Sequence, residues 1–318
     1  MAKYRHQLPQ FNGDVFLTDG GMETALIFNH GLDLPHFASF VLLETEEGRS
    51  HLVRYYESFL AIARQRGVGF VLDSATWRAN RDWGVKLGYD AHELNRINRA
   101  AIDLIADLRS GWQSASTHCV LNGAIGPRGD GYKAGRMDAS EAEDYHAAQI
   151  ASFAATEADM VSATTMNTVF EAVGIARAAH AIGMPCVVSF TVETDGKIAG
   201  GETLRQAIEA TDEATGGSPA YYMVNCAHPA HFEHALSADE AWAKRVLGVR
   251  ANASTKSHAE LDESPTIDIG DPVDLGRRYH ALKSSIPKLR VFGGCCGTDH
   301  RHIAAICEAC LPPLALSA

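Results

Sequence analysis

Short apolar runs alternate along this chain with longer stretches in which apolar and polar residues are mixed. The runs are rich in β-branched and aromatic residues and lie at 14–21, 68–76, 119–127, 159–166, 185–192, 221–226, 246–253 and 289–294. Seven of them precede a segment with apolar residues at helical spacing, and the last precedes a shorter segment. This alternation predicts successive βαβ units around a parallel sheet.

The segments between the runs carry the signals of helix ends. Residues 47–65 show helical spacing with Gly67 just beyond, and a second clear helical pattern spans 139–155. Asp271 followed by Pro272 is typical of an N-cap with proline at the first helical position. Helices are therefore expected between consecutive strands.

Eight alternations in 318 residues, without a low-complexity linker, predict one α/β domain over 1–318, a single (β/α)8 TIM barrel. A doubly wound sheet would need a glycine-rich nucleotide turn, and Asp19-Gly20-Gly21 is too short a match to one. Barrel active sites lie at the carboxyl ends of the strands. The candidate site residues are therefore the polar residues that end the runs: Asp19, Thr76, Asn122, Thr164, Glu193, Asn225 and Asn252.

Charge and hydropathy narrow the class of protein. The net charge is −11, and Lys and Arg form no cluster, which argues against a nucleic-acid partner. The first residues contain no apolar signal segment, and no later stretch is long and uncharged enough to span a bilayer. We expect a cytoplasmic protein without a membrane partner, either a monomer or a small homo-oligomer.

Three cysteines stand directly after strand-like runs. Cys226 ends one run, and the adjacent Cys295 and Cys296 follow the last one. If the strands are parallel neighbours, the three sulfurs emerge at one end of the barrel, where three thiolates would leave one position of a tetrahedral zinc ion open for a substrate thiol. Buried core thiols, or a disulfide between the adjacent pair, are the alternatives.

The other cysteines and a histidine group have simpler interpretations. Cys307 and Cys310 form a Cys-x-x-Cys pair without a second ligand pair nearby, so we expect thiols of a packed helix. Cys119 and Cys186 open strands and are expected in the core. His228 follows Cys226 closely and is the histidine expected nearest the pocket, although a polar helix face explains it equally.

Several motifs extend across the chain. They are LTDGGMET at 17–24, AIGP at 124–127, VSFT at 188–191, VNC at 224–226 and GGCCGT at 293–298. Together they resemble the zinc-dependent homocysteine S-methyltransferases, a family that includes enzymes using betaine, S-methylmethionine or S-adenosylmethionine. The resemblance covers nearly the whole chain, and the pairing of Asn-Cys with Gly-Gly-Cys-Cys-Gly is its specific part.

The resemblance implies a function and a set of site residues. Zinc would be held by Cys226, Cys295 and Cys296, and homocysteine would bind through its sulfur and leave as methionine. The ammonium group of homocysteine would lie near the Asp-Gly-Gly motif, which contains Asp19 and Gly20. Two further residues are implied close to the pocket: Thr76, and Asn225 beside the metal cysteine.

One position departs from the family pattern. Many members carry a Glu-Thr pair where this chain has Thr164 and Thr165, so a carboxylate that would bind the acceptor's ammonium group is missing. Such a charge-assisted hydrogen bond contributes ~1.5–3 kcal/mol. The acceptor is then either homocysteine, held by Asp19 and Glu193, or another small thiol.

The methyl donor should be cationic, a sulfonium such as S-methylmethionine or S-adenosylmethionine. Trp77, Trp83 and Tyr132 lie in loops that follow predicted strands, where their rings would suit a cation. No nucleotide-binding fingerprint is present, which favours the smaller donor. The loop 126–132 is expected to act as a lid. A zinc hydrolase and a non-catalytic zinc- or thiol-binding barrel are the competing functions.

Overall fold

The computed structural model describes residues 1–236 and 239–313. Parallel strands close into a barrel because β1 (Phe16–Leu17) pairs with both β2 (Gly69–Asp73) and β8 (Val291–Gly294). The strands between them are β3 (Cys119–Ile125), β4 (Met160–Met166), β5 (Cys186–Phe190), β6 (Tyr221–Asn225) and β7 (Val246–Ala251). The predicted single (β/α)8 barrel is confirmed, and each apolar run contains one strand.

The helices are α1 (Met22–Thr24), α2 (Glu46–Arg66), α3 (Arg81–Lys86), α4 (Ala91–Trp112), α5 (Ala139–Ala154), α6 (Val169–Ala181), α7 (Leu204–Thr215), α8 (Pro229–Phe232), α9 (His258–Asp262), α10 (Pro272–Ser285) and α11 (His300–Cys310). The predicted helix ends are confirmed: Gly67 terminates α2 in a left-handed conformation, and the Asp271 side chain caps α10. None of the helices in the described ranges is long and apolar enough to cross a membrane.

Two layers of apolar side chains support the barrel. The larger layer lies between the helices and the outside of the strands and includes Tyr56, Phe153 and Tyr279. It also contains the thiols predicted to be core: Cys119, Cys186, Cys307 and Cys310. The smaller layer fills the amino-terminal half of the barrel interior, where Phe16 and Met160 meet the side chains of the other strands.

The carboxyl-terminal half of the interior is polar. The Asn122 amide donates to Asp73 Oδ1 at 2.7 Å and contacts Ser162 Oγ at 2.6 Å. The Arg250 guanidinium from β7 forms an ion pair with Asp73 on the far side of the barrel. These contacts offset much of the cost of burying the groups, although Asn122 Oδ1 has no hydrogen-bond partner among the described residues. This layer forms the floor of the cavity at the carboxyl ends of the strands.

Candidate metal and substrate site

The three strand-end cysteines meet at the carboxyl-terminal mouth of the barrel. Cys226 directly follows β6, whereas Cys295 and Cys296 follow β8, and the three sulfurs lie within 4.8 Å of one another. The structure places the Cys226 and Cys295 sulfurs in disulfide contact, and Cys296 is free. The alternative of a disulfide between the adjacent cysteines is therefore wrong. Elsewhere in the described residues no comparable cluster of metal-ligating side chains is found.

Backbone strain is concentrated beside Cys226. Cys226 and Thr165 both have left-handed backbones, with φ of 54° and 64°, which is unfavourable for a β-branched residue. Asn225 stabilises the pair: its Oδ1 accepts from the Thr165 amide and its Nδ2 donates to Thr165 Oγ1, both at 2.9 Å. The Cys226 backbone carbonyl accepts a hydrogen bond from the Asn252 side-chain Nδ2 at 2.9 Å and contacts the His258 ring. These contacts fix the direction of the Cys226 thiol.

The loop after β8 is held by the Asp-Gly-Gly segment. A side-chain carbon on Gly20 would lie 2.6 Å from the Thr298 carbonyl oxygen, and one on Gly21 would lie 2.5 Å from that of Cys295. Only glycine permits this approach. The segment therefore positions the two adjacent cysteines, which accounts for Gly20 without a direct ligand contact.

Asp19 lies at the end of β1 but is already engaged by other side chains. Its Oδ1 receives a hydrogen bond from Arg250 Nη2 at 2.5 Å, and its Oδ2 receives one from the Tyr55 hydroxyl at 3.1 Å. Only 1% of the residue is exposed. Burial raises the pKa of Asp19, and the Arg250 and Tyr55 contacts oppose this shift. The carboxylate predicted to bind an ammonium group is therefore paired with a guanidinium in this structure.

A cavity of about 450 Å³ opens above this layer. The residues predicted from the sequence that line it are Asp19, Gly20, Trp77, Tyr132, Thr164, Asn225, Asn252, Cys226, Cys295 and Cys296. The Thr164 side chain is partly exposed and its Oγ1 lies 3.1 Å from Ser162 Oγ. The barrel thus brings most of the predicted positions together around the thiols.

Thr76 and Glu193 lie outside the cavity lining. The Thr76 hydroxyl is fully buried and donates to the Ala124 carbonyl at 2.8 Å. Glu193 contacts His258 Nδ1 at 2.7 Å, so it acts on the site through that ring. His228 is buried as the N-cap of α8, and burial lowers its pKa to about 4. The direct roles predicted for Thr76 and Glu193 in substrate binding stay predictions.

The loop that connects β3 to α5 covers the thiols. The Tyr132 ring stacks on His258 with 3.9 Å between ring centroids, and its hydroxyl lies 3.9 Å from Cys296 Sγ. Arg128 anchors the base of the loop through its ion pair with Asp82 at 2.7 Å. The lid predicted for 126–132 thus occupies a closed position in this structure.

The two tryptophans after β2 are covered by cations of the protein itself. The Arg78 guanidinium lies 4.0 Å from the Trp77 ring centroid and 3.8 Å from that of Trp83. Lys86 also lies 3.8 Å from the Trp83 ring centroid. The faces expected to receive a cationic donor are therefore at least partly occupied. Among the cavity residues, the sequence analysis assigned no role in the site to Arg78, Arg250 or His258.

The donor set fits zinc. Zinc–thiolate bonds of about 2.3 Å in a tetrahedron place sulfurs roughly 3.8 Å apart. The three sulfurs lie within 4.8 Å of one another, and the Cys226 and Cys295 sulfurs would have to separate from their disulfide contact to reach that spacing. Burial raises the pKa of Cys296 to about 11, so this thiol requires a cation to become a thiolate at neutral pH. Binding also requires that Cys226 and Cys295 be reduced, since the ligand is a thiolate.

Fold and site together define a (β/α)8 barrel with a three-cysteine centre at its mouth. The sequence profile of the homocysteine S-methyltransferase family matches residues 16–310, and the chain therefore belongs to this family. A comparison with curated proteins gives no match.

Solved structures of the homocysteine methyltransferase MmuM from Escherichia coli share this fold. The oxidized form has a TM-score of 0.75 at 18% identity, covering 96% of this chain and 99% of MmuM. The metallated form has a TM-score of 0.73 at 18% identity, with 95% and 99% covered. The apo form has a TM-score of 0.65 at 19% identity, with 93% and 96% covered. At these identities the likeness establishes the fold.

Proposed function

We propose that this protein is a zinc-dependent methyltransferase that moves a methyl group from a sulfonium donor to the thiol of homocysteine, giving methionine. The observation that carries the proposal is the convergence of the Cys226, Cys295 and Cys296 sulfurs within 4.8 Å in the lining of a substrate-sized cavity. Family membership and the metallated form of MmuM support the same chemistry.

The reaction requires an unprotonated sulfur. Zinc, when bound, would hold the acceptor as a thiolate in its fourth position. The thiolate lone pair forms the new sulfur–carbon bond while the bond from the methyl carbon to the sulfonium sulfur breaks. The donor then leaves as a neutral thioether, and the acceptor's proton is released to solvent. No general acid is needed, because the leaving group carries no negative charge.

The protein supplies alignment and a dry site. Tyr132 and His258 cover the thiols and would exclude water from the transfer. Asp130 and Asp262 line the cavity and have no ion-pair partner in the portion of the chain described, so their charges would favour a cationic donor. The smaller donor, S-methylmethionine, remains our choice over S-adenosylmethionine, because the sequence has no nucleotide-binding fingerprint.

A second candidate is methyl transfer to another small thiol. It is favoured by the neutral side chain of Thr164 and by the pairing of Asp19 with Arg250, since both features remove carboxylates that would bind the ammonium group of homocysteine. A non-catalytic thiol-binding barrel is the remaining alternative.

A methyl-transfer assay tests these functions. Reduced, zinc-loaded protein is given homocysteine, or another small thiol in its place, with S-methylmethionine, S-adenosylmethionine or betaine. Cys296→Ala and the matched control Cys310→Ala, which changes a buried thiol of α11, are assayed beside it. We expect methionine from the wild type and the control, with one zinc per chain, and neither product nor bound zinc in Cys296→Ala. Product with a different thiol alone favours the second candidate. Bound zinc without any product contradicts the proposal.

A further inference from the structure

Arg78 is a half-buried cation that has no counter-ion among the described residues. Its guanidinium is sandwiched between Trp77 and Trp83, and Nη1 donates to the Gly129 carbonyl at 2.9 Å. Its Nε is buried without a hydrogen-bond partner. No carboxylate of the described residues forms an ion pair with it, in contrast to Arg250 in the same cavity. Burial lowers the pKa of Arg78 to about 10, which still leaves it charged at neutral pH.

Holding the Arg78 guanidinium without a carboxylate partner is energetically unfavourable unless an anion binds to it. A buried charge normally has a partner, and an unmade hydrogen bond of a buried donor is unfavourable. The aromatic sandwich fixes the guanidinium plane, so little side-chain entropy is lost when a planar anion binds. Arg78 lines the cavity, so the anion would be part of a ligand in that cavity. A carboxylate matches the guanidinium best.

Glu23 supplies the complementary charge in the same cavity. Its Oε1 accepts from the Ser39 hydroxyl at 2.7 Å, while the structure gives Oε2 no partner within the described residues. Glu23 and Arg78 influence each other electrostatically without forming an ion pair, and the Glu23 charge also acts on Cys296. The two opposite charges thus line the same cavity without pairing with each other, so both are available to a ligand that enters it.

We propose that Arg78 and Glu23 bind the zwitterionic amino-acid group of a substrate, with Arg78 on its carboxylate and Glu23 on its ammonium group. This inference rests on the proposed methyl transfer, and it names the class of substrate that the site recognises. It gives to Glu23 the task that the family resemblance implied for Asp19, whose carboxylate is paired with Arg250. The zwitterion belongs either to the thiol acceptor or to the sulfonium donor, and the experiment separates these two sources.

The test measures dissociation constants by calorimetry on reduced, zinc-loaded protein. The acceptor arm compares homocysteine with 4-mercaptobutyrate, which lacks the ammonium group, and with 3-mercaptopropylamine, which lacks the carboxylate. The donor arm compares S-methylmethionine with the dimethylsulfonium analogues that lack the same groups. In one of the two arms we expect the wild type to bind the intact amino acid roughly tenfold to a hundredfold more tightly than either analogue.

Variants of Arg78 and Glu23 test which charged group of the ligand each side chain binds. Arg78→Met should weaken binding of the intact amino acid by that factor and leave the carboxylate-free analogue within about twofold, while Arg78→Lys restores part of the loss. Glu23→Gln should do the same for the ammonium group. Arg81→Met is the control, because it removes a charge close by in the chain from a side chain that is 63% exposed and outside the cavity lining.

Two outcomes overturn the inference. One is equal binding of intact and truncated ligands by the wild type in both arms, which needs no variant and so decides the matter even if Arg78→Met fails to fold. The other is unchanged affinity of both intact amino acids in folded Arg78→Met. Failure of the proposed function differs from both, because ligands would then bind without any methyl transfer.

Discussion

At the amino-terminal end of the barrel, buried Asp159 accepts four hydrogen bonds, from the amides of Lys3, Tyr4 and Leu121 and from the Arg109 guanidinium. At the carboxyl-terminal end, the half-buried Arg78 guanidinium donates one hydrogen bond, its Nε is buried without a partner, and it has no ion pair within the described residues. Both groups lose hydration on folding. Hydrogen bonds within the chain replace the lost hydration of Asp159. For Arg78 such partners are largely missing, and a bound ligand would have to supply them.

The same contrast applies to the backbone. Beside Asp159 the Arg5 side chain donates to the carbonyls of Ala154, Thr156 and Ala158, which closes this end of the barrel. At the other end, left-handed backbones occur at Thr165 and Cys226, where a β-branched residue and a cysteine would otherwise avoid them. One end therefore contributes stability, and the other retains strain and unpaired charge for binding.

The largest loss of stability is expected when the Asp159 carboxylate at the amino-terminal end of the barrel is removed. Asp159→Ala leaves the Arg109 guanidinium and three backbone amides without their acceptor, so we expect a loss of about 3 kcal/mol or more in the free energy of unfolding. Glu157→Ala removes a neighbouring partner of Arg109 that is 45% exposed, and it should cost less than about 1 kcal/mol. Urea denaturation measures both.

Ligand affinity of the folded Asp159→Ala protein should equal that of the wild type, because the change lies at the far end of the barrel from the cysteines. A stability equal to the wild type, or a changed ligand affinity, would show that the two ends are not the separate systems described above.

A smaller effect is expected from opening the lid. Tyr132→Ala removes the ring that stacks on His258 and covers Cys296, so alkylation of Cys296 in metal-free, reduced protein should accelerate about tenfold. Peptide mass spectrometry separates this thiol from the others. Arg136→Ala, at an exposed position of the same loop, is the control and should not change the rate. An unchanged rate in Tyr132→Ala would mean that the loop is already open in solution.

The barrel was predictable from the sequence because each βα unit repeats a local pattern. The composition of a run such as 221–226 predicts a strand, and Asp271 predicts the start of a helix because its side chain can cap the first amides. Neither prediction depends on distant contacts. The three cysteines were predictable for the same reason. Each follows a strand, and parallel strands bring their carboxyl ends to one edge.

The pairing of charges was not predictable, because it depends on closure of the barrel. Asp19 and Arg250 are 231 residues apart and meet only when β7 and β8 close against β1. Arg78 gave no signal either, since its sandwich between Trp77 and Trp83 depends on the path of the loop after β2. Strand-end position and the family resemblance therefore assigned Asp19 to the ligand, and neither pointed to Arg78, the cation that lacks a partner among the described residues.

The smallest expected effect on stability concerns two carboxylates at the cavity mouth, Asp268 and Asp262. Asp268 accepts from the Gly270 amide at 3.0 Å and from the Ser254 hydroxyl at 2.8 Å, and these bonds hold its pKa below the ordinary value. Burial, together with the charge of Asp130, raises the pKa of Asp262. The two side chains lie in the same region, and their charges should affect stability with opposite signs.

Because its folded-state pKa is lowered, Asp268 stabilises the fold above its ordinary pKa near 4, and this contribution disappears as pH falls through the folded value. Asp268→Asn should therefore lose up to about 1 kcal/mol at pH 7 and converge with the wild type near pH 3. Asp262→Asn should instead be slightly more stable at pH 7, because it removes a charge that partial desolvation and the neighbouring Asp130 charge disfavour, and it too should converge with the wild type in acid. Urea midpoints across this pH range measure both curves. A loss of equal sign in the two variants would mean that Asp262 has a partner in solution, and the mouth would then resemble the amino-terminal end of the barrel.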